Sequence, residues 1–371
     1  MSQGASTRTK LWLTTCAVGA AALLAVGNAS AATWVIRGHG FGHGVGMSQW
    51  GAYGFARHGR DYKAILGHYY RHTHVGRAAA GSIRVLLTSG AGSVSFRRAT
   101  KACGRRLRPH HGYAFVRSGS GIELRRARGR RVARCGQAAT ARGRGAIRIG
   151  GQGLYRGTLK VKSSGGGLEV INAVGLDAYA KGVVANEEPS SWPQAALRAQ
   201  AVAARSFGLA SHVARSFDVY DDTRSQVYGG KASETAATNR ACKRTSDRVV
   251  KYRHRIATTY FFSSSGGRTE SIQFGFPGSS PVPYLRSVDD PYDTASPQHS
   301  WRVRYSQGEM ESRLGGLFSG RLRKVKVLKR GDSPRIVLAR VVGTHGSSRI
   351  SGPGLQARLG LDSTWARFHK R

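Results

Sequence analysis

Apolar and polar positions along the chain divide it into segments of different period. The first is an apolar and small run, Leu11 to Val26, which follows Arg8 and Lys10 and closes on Ala29-Ser30-Ala31, the small-x-small pattern of a secretory signal. About sixteen residues fall short of the roughly 20 that a membrane helix needs. The expected mature chain therefore starts near Ala32, is secreted, and has no stable membrane span after signal cleavage. An uncleaved N-terminal anchor is the alternative.

From Trp34 the pattern reads strand, loop, helix, helix. Trp34-Val35-Ile36 opens it, the glycine-dense GHGFGHGVGMSQWGA follows, and helical periodicity runs from Trp50 to Tyr70. Residues 76–165 are rich in Gly and Arg and carry short β patterns at Ile83–Leu87, Val94–Phe96 and Leu159–Val161. They predict a β subdomain, and the biased stretch Gly104 to Gly145 reads in part as a mobile basic loop. Leu168–Val174 reads as a buried strand and Leu176–Val184 as a short helix or turn. The strongest helix signal comes next: Ser190 or Ser191 as a cap, Pro193 in the first turn, and a seam of Ala195, Ala199, Val202, Ser206 and Leu209. Ile256–Phe262 reads as a strand ending in a turn at Ser263–Gly267, and Val325–Val327 and Ile336–Leu338 as further strands. The fold class predicted is α+β, mixed and β-rich.

Charge changes this picture more than length does. With 59 Lys and Arg against 19 Asp and Glu, the formal net charge is +40, which calls for a polyanionic partner or surface. For an exported chain those anions are wall polymers, phosphate-rich or carboxylate-bearing. Nucleic acid suits the charge but not the export signal, and the chain has no RNP-like or zinc-finger pattern, so no nucleic-acid partner is expected. Beyond Cys16 the cysteines are Cys103, Cys135 and Cys242. Cys103 and Cys135 bracket a basic segment and could close it as a loop in an oxidising compartment, leaving Cys242 as an odd thiol.

Acids are scarce enough for position to be informative. Between Ala32 and Ser164 only Asp61 and Glu123 occur, whereas Glu187 and Glu188 lie together ahead of the strongest helix, with apolar flanks that suggest partial burial. Burial raises a carboxyl pKa toward the range a general acid needs. The plain alternative is a pair favouring a helix N-terminus or meeting surface arginines. His39 and His43, four apart, suggest a metal pair, but the HExxH carboxylate is missing. Hydrogen bonding from a glycine loop whose backbone can approach a ligand is the preferred reading. No G-x-S-x-G elbow surrounds Ser263 to Ser265, which reads as a polar turn lining a cleft.

Five stretches together resemble the stage II sporulation protein D and amidase-enhancer family: GHGVGMSQWGA, LDAYAKGVVANEEPSSWPQAALRAQAVAARSF, DDTRSQVYGG, YFFSSSGGRTE and PYLRSVDDPYD. The resemblance implies a peptidoglycan lytic transglycosylase in cell-wall remodelling or sporulation, needing one glutamate as acid and base. The family's glutamate before x-Pro falls on Glu187, with Glu188 where an apolar residue is usual. His43, Ser48, Gln49, Gln226, Tyr228, Arg268 and Thr269 are the implied saccharide contacts. Some members hold zinc through cysteines ahead of the Q-x-Y segment. Ser225 stands there here, so neither metal nor other cofactor is expected. The implied organisation is a signal peptide (1–31), a glycine and histidine segment completing the catalytic domain (32–75), an inserted basic β subdomain (76–165) and the main catalytic domain (166–371), with helices flanking a cleft. In the commoner arrangement the glycine-histidine motif follows a segment like LGLDSTWARF, whereas here it comes first. A circular permutation would explain the order, and it predicts that Trp34–Arg37 lies beside Thr364–Phe368. Implied partners are peptidoglycan glycan strands, anionic wall polymers and a cell-wall amidase, and a non-catalytic wall-binding enhancer of that amidase is the rival reading.

Overall fold

The structure is a computed structural model that describes residues 32–79, 81–127 and 129–371; the expected signal segment lies outside these. The fold is α+β and β-rich. Five helices form the packed group that carries the candidate site: α1 (Gln49–Arg57), α2 (Tyr62–Tyr69), α3 (Leu176–Glu187), α4 (Gln194–Ala210) and α5 (Ala236–Arg244).

Helix α4 is central, packing against each of the other four. Of the predicted seam, Ala199, Val202 and Ser206 are buried and Ala195 and Leu209 only partly so, while Ala196, Ala201, Ala203 and Ala204 are also enclosed. Small side chains on every face let several helices approach one axis. Neither Ser190 nor Ser191 caps it. The N-cap is Pro193, whose carbonyl accepts from the Ala196 and Leu197 amides at 3.0 and 3.2 Å, and whose ring fixes φ for the entry. Arg205 is wholly buried and joins three helices. Its Nε donates to Asp177 of α3 at 2.7 Å, and its Nη2 to the Cys242 carbonyl of α5 at 2.8 Å. The short helix or turn expected at Leu176–Val184 is α3, extended to Glu187.

Two mainly antiparallel sheets, of seven and six strands, build a β block from Ser82 to Gly175, with Val219–Tyr220 added in parallel at one edge. Their inward faces share one core that includes Val85, Phe96, Phe115, Leu124, Leu159 and Val170. The basic stretch read in part as a mobile loop is instead strand through most of its length: Tyr113–Ser118, Gly121–Arg126, Arg131–Arg134 and Ala138–Arg142. Alternation outweighs composition here. Tyr113, Phe115, Ile122 and Leu124 point inward and alternate with Ala114, Val116, Glu123 and Arg125 on the other face. Cys103 and Cys135 form a disulfide with Cα atoms 5.4 Å apart; Cys242 is a buried free thiol whose pKa burial raises to about 11.

Near the chain ends, Thr33–His39 runs antiparallel between Ser300–Ser306 and Ala366–Lys370, with Ile36 opposite both Val303 and Phe368. Trp34–Arg37 therefore does lie beside the C-terminal segment. The predicted strand at Ile256–Phe262 is reduced to Arg255–Ile256 and Phe261–Phe262, the latter pairing in parallel with Met47–Ser48. That pairing draws the glycine-rich segment against the serine turn.

Candidate functional site

The site begins with the backbone that the glycines allow. Gly44 has φ +86°, and a Cβ there would stand 2.7 Å from Nε of the buried Arg335, so a side chain would collide as well as strain the backbone. Arg335 in turn donates to the carbonyls of Arg268 (2.8 Å) and Ser265 (2.9 Å). Asp293, fully buried, is the second anchor. Its carboxylate accepts from Ser48 Oγ at 3.0 Å, Ser264 Oγ at 2.9 Å, the Ser265 amide at 3.1 Å and the Gly266 amide at 2.8 Å. One acid thus fastens the glycine-rich segment to the serine turn.

Ser48 is also the N-cap of α1, accepting from the Gly51 amide at 3.1 Å. The cap fixes Gln49 as the first helical residue, and Gln49 reaches α3. Its Nε2 donates to the Glu187 carbonyl at 3.2 Å and, more weakly, to Glu187 Oε2 at 3.4 Å. Glu187 Oε1 accepts the Val227 amide at 2.8 Å. The carboxyl is partly exposed, and burial raises its pKa against the lowering effect of these two donors. Its place as the last residue of α3 acts the same way as burial, because the negative end of the helix dipole disfavours a carboxylate.

Glu188 behaves differently. It is 3% exposed and neither oxygen has a hydrogen-bond partner. Burial, and secondarily the charge on Glu187, drive its pKa well above the ordinary glutamate value. Next to the water-accessible acid sits an enclosed one whose protonated form burial favours.

His43 accepts the Val45 amide on Nδ1 at 3.0 Å, so Nε2 carries the proton and donates to the Phe261 carbonyl at 3.1 Å. The imidazole is neutral, its pKa lowered to about 4 by burial and then by Arg335. With both nitrogens committed, it has no lone pair free for a metal. Its ring lines a cavity of about 370 Å³ together with Phe207, Arg224, Ser225, Tyr260 and Phe276. The segment that supplies Ser225 continues to Val227, whose amide Glu187 accepts. Gln226 between them is buried, its Oε1 accepting from Tyr179 at 2.9 Å and its Nε2 unpartnered.

Of the residues the sequence suggested, Glu187, Gln49 and the Gln226 segment come together, and His43 lines the cavity to which Ser225 of that segment contributes. Ser48 and Thr269 are enclosed, their hydroxyls bonded to Asp293 and to the Val288 backbone respectively. Tyr228 is buried too, donating to Asn172 at 2.7 Å. These three brace the site rather than face it. Arg268 bonds Ser287 at 3.1 Å and lines a separate cavity with Arg71, Arg286 and Asp332. Sequence reasoning missed the Val227 amide, which no side-chain pattern can show. It also missed Asp293, for which an acid closing the PYLRSVDDPYD stretch was a usable signal. Among the described residues no three His, Cys, Asp or Glu side chains gather as metal ligands.

Residues 164–252, the segment holding α3, α4, α5 and Glu187, match the family described as Stage II sporulation protein. The chain is 29% identical over 218 residues to the stage II sporulation protein D of Bacillus subtilis (strain 168), covering 53% of this chain and 62% of that one. It is 38% identical over 133 residues to the amidase enhancer of the same organism, covering 36% of this chain and 18% of the relative. The matches thus span less than two thirds of either relative. The chain carries a segment similar to the stage II sporulation protein family and is similar over part of its length to both the sporulation protein D and the amidase enhancer.

Proposed function

We propose that the protein is an exported, cell-wall-associated lytic transglycosylase that cuts peptidoglycan glycan strands with Glu187 as its single acid and base. The observation that carries this reading is the state of Glu187: partly exposed, held by one amide and one carboxamide, with its pKa raised by burial. In that state the carboxyl is protonated at higher pH than an ordinary glutamate. It donates to the glycosidic oxygen between N-acetylmuramic acid and N-acetylglucosamine, the bond to the muramyl C1 breaks, and an oxocarbenium-like centre forms. The carboxylate left behind takes the proton of the muramyl C6 hydroxyl, whose oxygen bonds to C1. The 1,6-anhydro end forms and the glutamate proton is restored.

A hydrolase sets two carboxyls on opposite sides of the bond. The acid coupled to Glu187 is its chain neighbour, Glu188, which is enclosed and has no route to a sugar. Attack by the substrate's own hydroxyl asks for only one carboxyl, the one that Gln49 and the Val227 amide hold. The Val227 amide and Gln49 fix where the proton is delivered.

A second reading, a wall-binding partner of a cell-wall amidase without turnover of its own, draws support from the relative named amidase enhancer and from the +40 charge. One experiment separates the two. Protein and its Glu187→Gln variant are incubated with intact and amidase-treated peptidoglycan, and anhydro-muramyl ends are counted by mass spectrometry. The expected result is a loss of about 100- to 10,000-fold in the variant, the span typical of a missing general acid–base. Binding of glycan without release of such ends by either protein favours the second reading.

A further inference from the structure

The six-stranded sheet of the β block has an outer face that the glycan reading does not use. Val94 and Phe96 point to the core, so Ser95 and Arg97 point away from it. Likewise Ala114 faces outward between buried Tyr113 and Phe115, and Arg148 between buried Ile147 and Ile149. Ser95, Gly112, Ala114 and Gly150 form a floor of small residues under a hollow of about 410 Å³, with Arg97, Arg125 and Arg148 on the outward side and Arg126, opposite inward-facing Tyr113 at the end of its strand, reaching its rim. A neighbouring hollow of about 440 Å³ shares Gly112 and Arg126 and adds His111 and Arg130. The missing side chain at Gly112 keeps the trough open, because a Cβ there would lie 3.5 Å from Arg97 Nε and 3.2 Å from Ala127 Cβ.

The segment that carries this face, together with strands it lends to the seven-stranded sheet, lacks internal charge compensation. Residues 93–150 hold 16 Lys and Arg against one acid, Glu123. That acid is already taken by Arg125 at 2.8 Å and Arg131 at 3.3 Å. Arg97 and Arg148 are direct cross-strand partners, a like-charge placement that destabilises a sheet. No ion pair relieves Arg97, Arg126 or Arg148 among the described residues. An external anion would relieve all three.

Its chemistry follows from the groups present. All but one of the 16 cations are arginine, whose planar fork suits oxygen pairs on phosphate or carboxylate. The guanidiniums come from strands on two sides of the trough, which a tetrahedral phosphodiester can serve in two directions, whereas a planar carboxylate best serves one fork. The large aromatic residues at the hollow, Phe96 and Tyr113, are 1% and 3% exposed, so no Phe or Tyr face is offered for base stacking and only the small imidazole of His111 lies in the neighbouring hollow. We propose that this face binds a base-free phosphodiester chain of the polyol-phosphate kind, held by Arg97, Arg126 and Arg148. The site stands apart from Glu187 and does not depend on glycan cleavage.

The test measures binding of the full chain to poly(glycerol phosphate) by calorimetry over a range of salt. The triple variant Arg97→Gln/Arg126→Gln/Arg148→Gln is expected to bind about tenfold more weakly or worse, with its salt slope reduced by about 3, one for each phosphate that an arginine no longer neutralises. Its thermal midpoint should not fall, since repulsion is removed. A control with the same charge change elsewhere, Arg323→Gln/Lys324→Gln/Lys326→Gln on the strand Ser319–Arg330, should bind nearly as the parent does. Equal losses in the two variants would mean that net charge alone binds, overturning the proposal. So would polyglutamate or duplex DNA binding as tightly through the same three arginines.

Discussion

Glu187 and Glu188 are adjacent in sequence and opposite in their relation to water. Glu187 is the last residue of α3, whereas Glu188 has left the helix, with φ −134° and ψ 141°, so the two side chains part. From the sequence, the pair and its value as a chemical site were legible, but not which carboxyl would be enclosed. That choice depends on the residue at which α3 stops, a boundary set by tertiary contacts. Glu188 carries a stability prediction. Its folded pKa stands well above the unfolded value, so between the two the folded state binds more protons. Its contribution is therefore most favourable below the ordinary glutamate value and is lost as pH rises toward the folded one. Glu188→Met removes a buried carboxyl that has no partner, and is expected to stabilise the fold at neutral pH by about 1 to 3 kcal/mol. The gain should grow toward alkaline pH and shrink toward acid, and release of anhydro ends should persist. Denaturant titrations at several pH values check the first two, and the peptidoglycan assay the third.

At the scale of elements, the β block shows where composition and periodicity part company. Gly- and Arg-rich sequence between Gly104 and Gly145 looks soluble and mobile when counted, yet GIELRR alternates, burying Ile122 and Leu124. The apolar members are few, but each is placed in the core shared by both sheets. The disulfide reinforces this arrangement. Cys103 follows Lys101–Ala102 of the seven-stranded sheet, and Cys135 follows Arg131–Arg134 of the six-stranded one, so the bond ties the two sheets together. Their separation of 32 residues, taken as the closed loop, corresponds to about 3 to 4 kcal/mol of unfolded-state entropy. Cys103→Ala/Cys135→Ala is expected to lose about that much in chemical denaturation. Mild reduction of the parent protein should reproduce the loss, since Cys242 is enclosed. Helix α4 was legible for a different reason: its small residues recur too regularly for any other element, and only its capping was misread.

At the scale of the molecule, the site is assembled from stretches far apart in sequence, and this the chain could announce only through resemblance. Asp293 bonds Ser48 and Ser264, Gln49 bonds Glu187, and Glu187 bonds Val227, so residues 48, 187, 227, 264 and 293 meet in one place. No local period encodes those contacts. The order of the stretches is thus a matter of connection rather than of packing, and the chain ends make that testable. Thr33 and Arg371 exchange both backbone hydrogen bonds, at 3.0 and 2.9 Å, so the described N-terminal strand and the last residue are neighbours in one sheet. Joining Arg371 to Ala32 through a hairpin loop of about 2 to 5 residues asks for no rearrangement of either strand. Opening the chain after Ala79, which is exposed and follows the strand Thr73–Arg77, breaks no strand. The product carries the glycine-histidine motif after the LGLDSTWARF stretch. We expect it to melt cooperatively within a few degrees of the parent, about 1 kcal/mol or less in stability, and to yield the same anhydro-muramyl ends. A permuted chain that folds would support the inference that the two motif orders are two cuts through one circular arrangement. Failure to fold, with the parent folding beside it, would mean that the connection through residues 77–82 is itself needed, and the permutation would lose its physical basis.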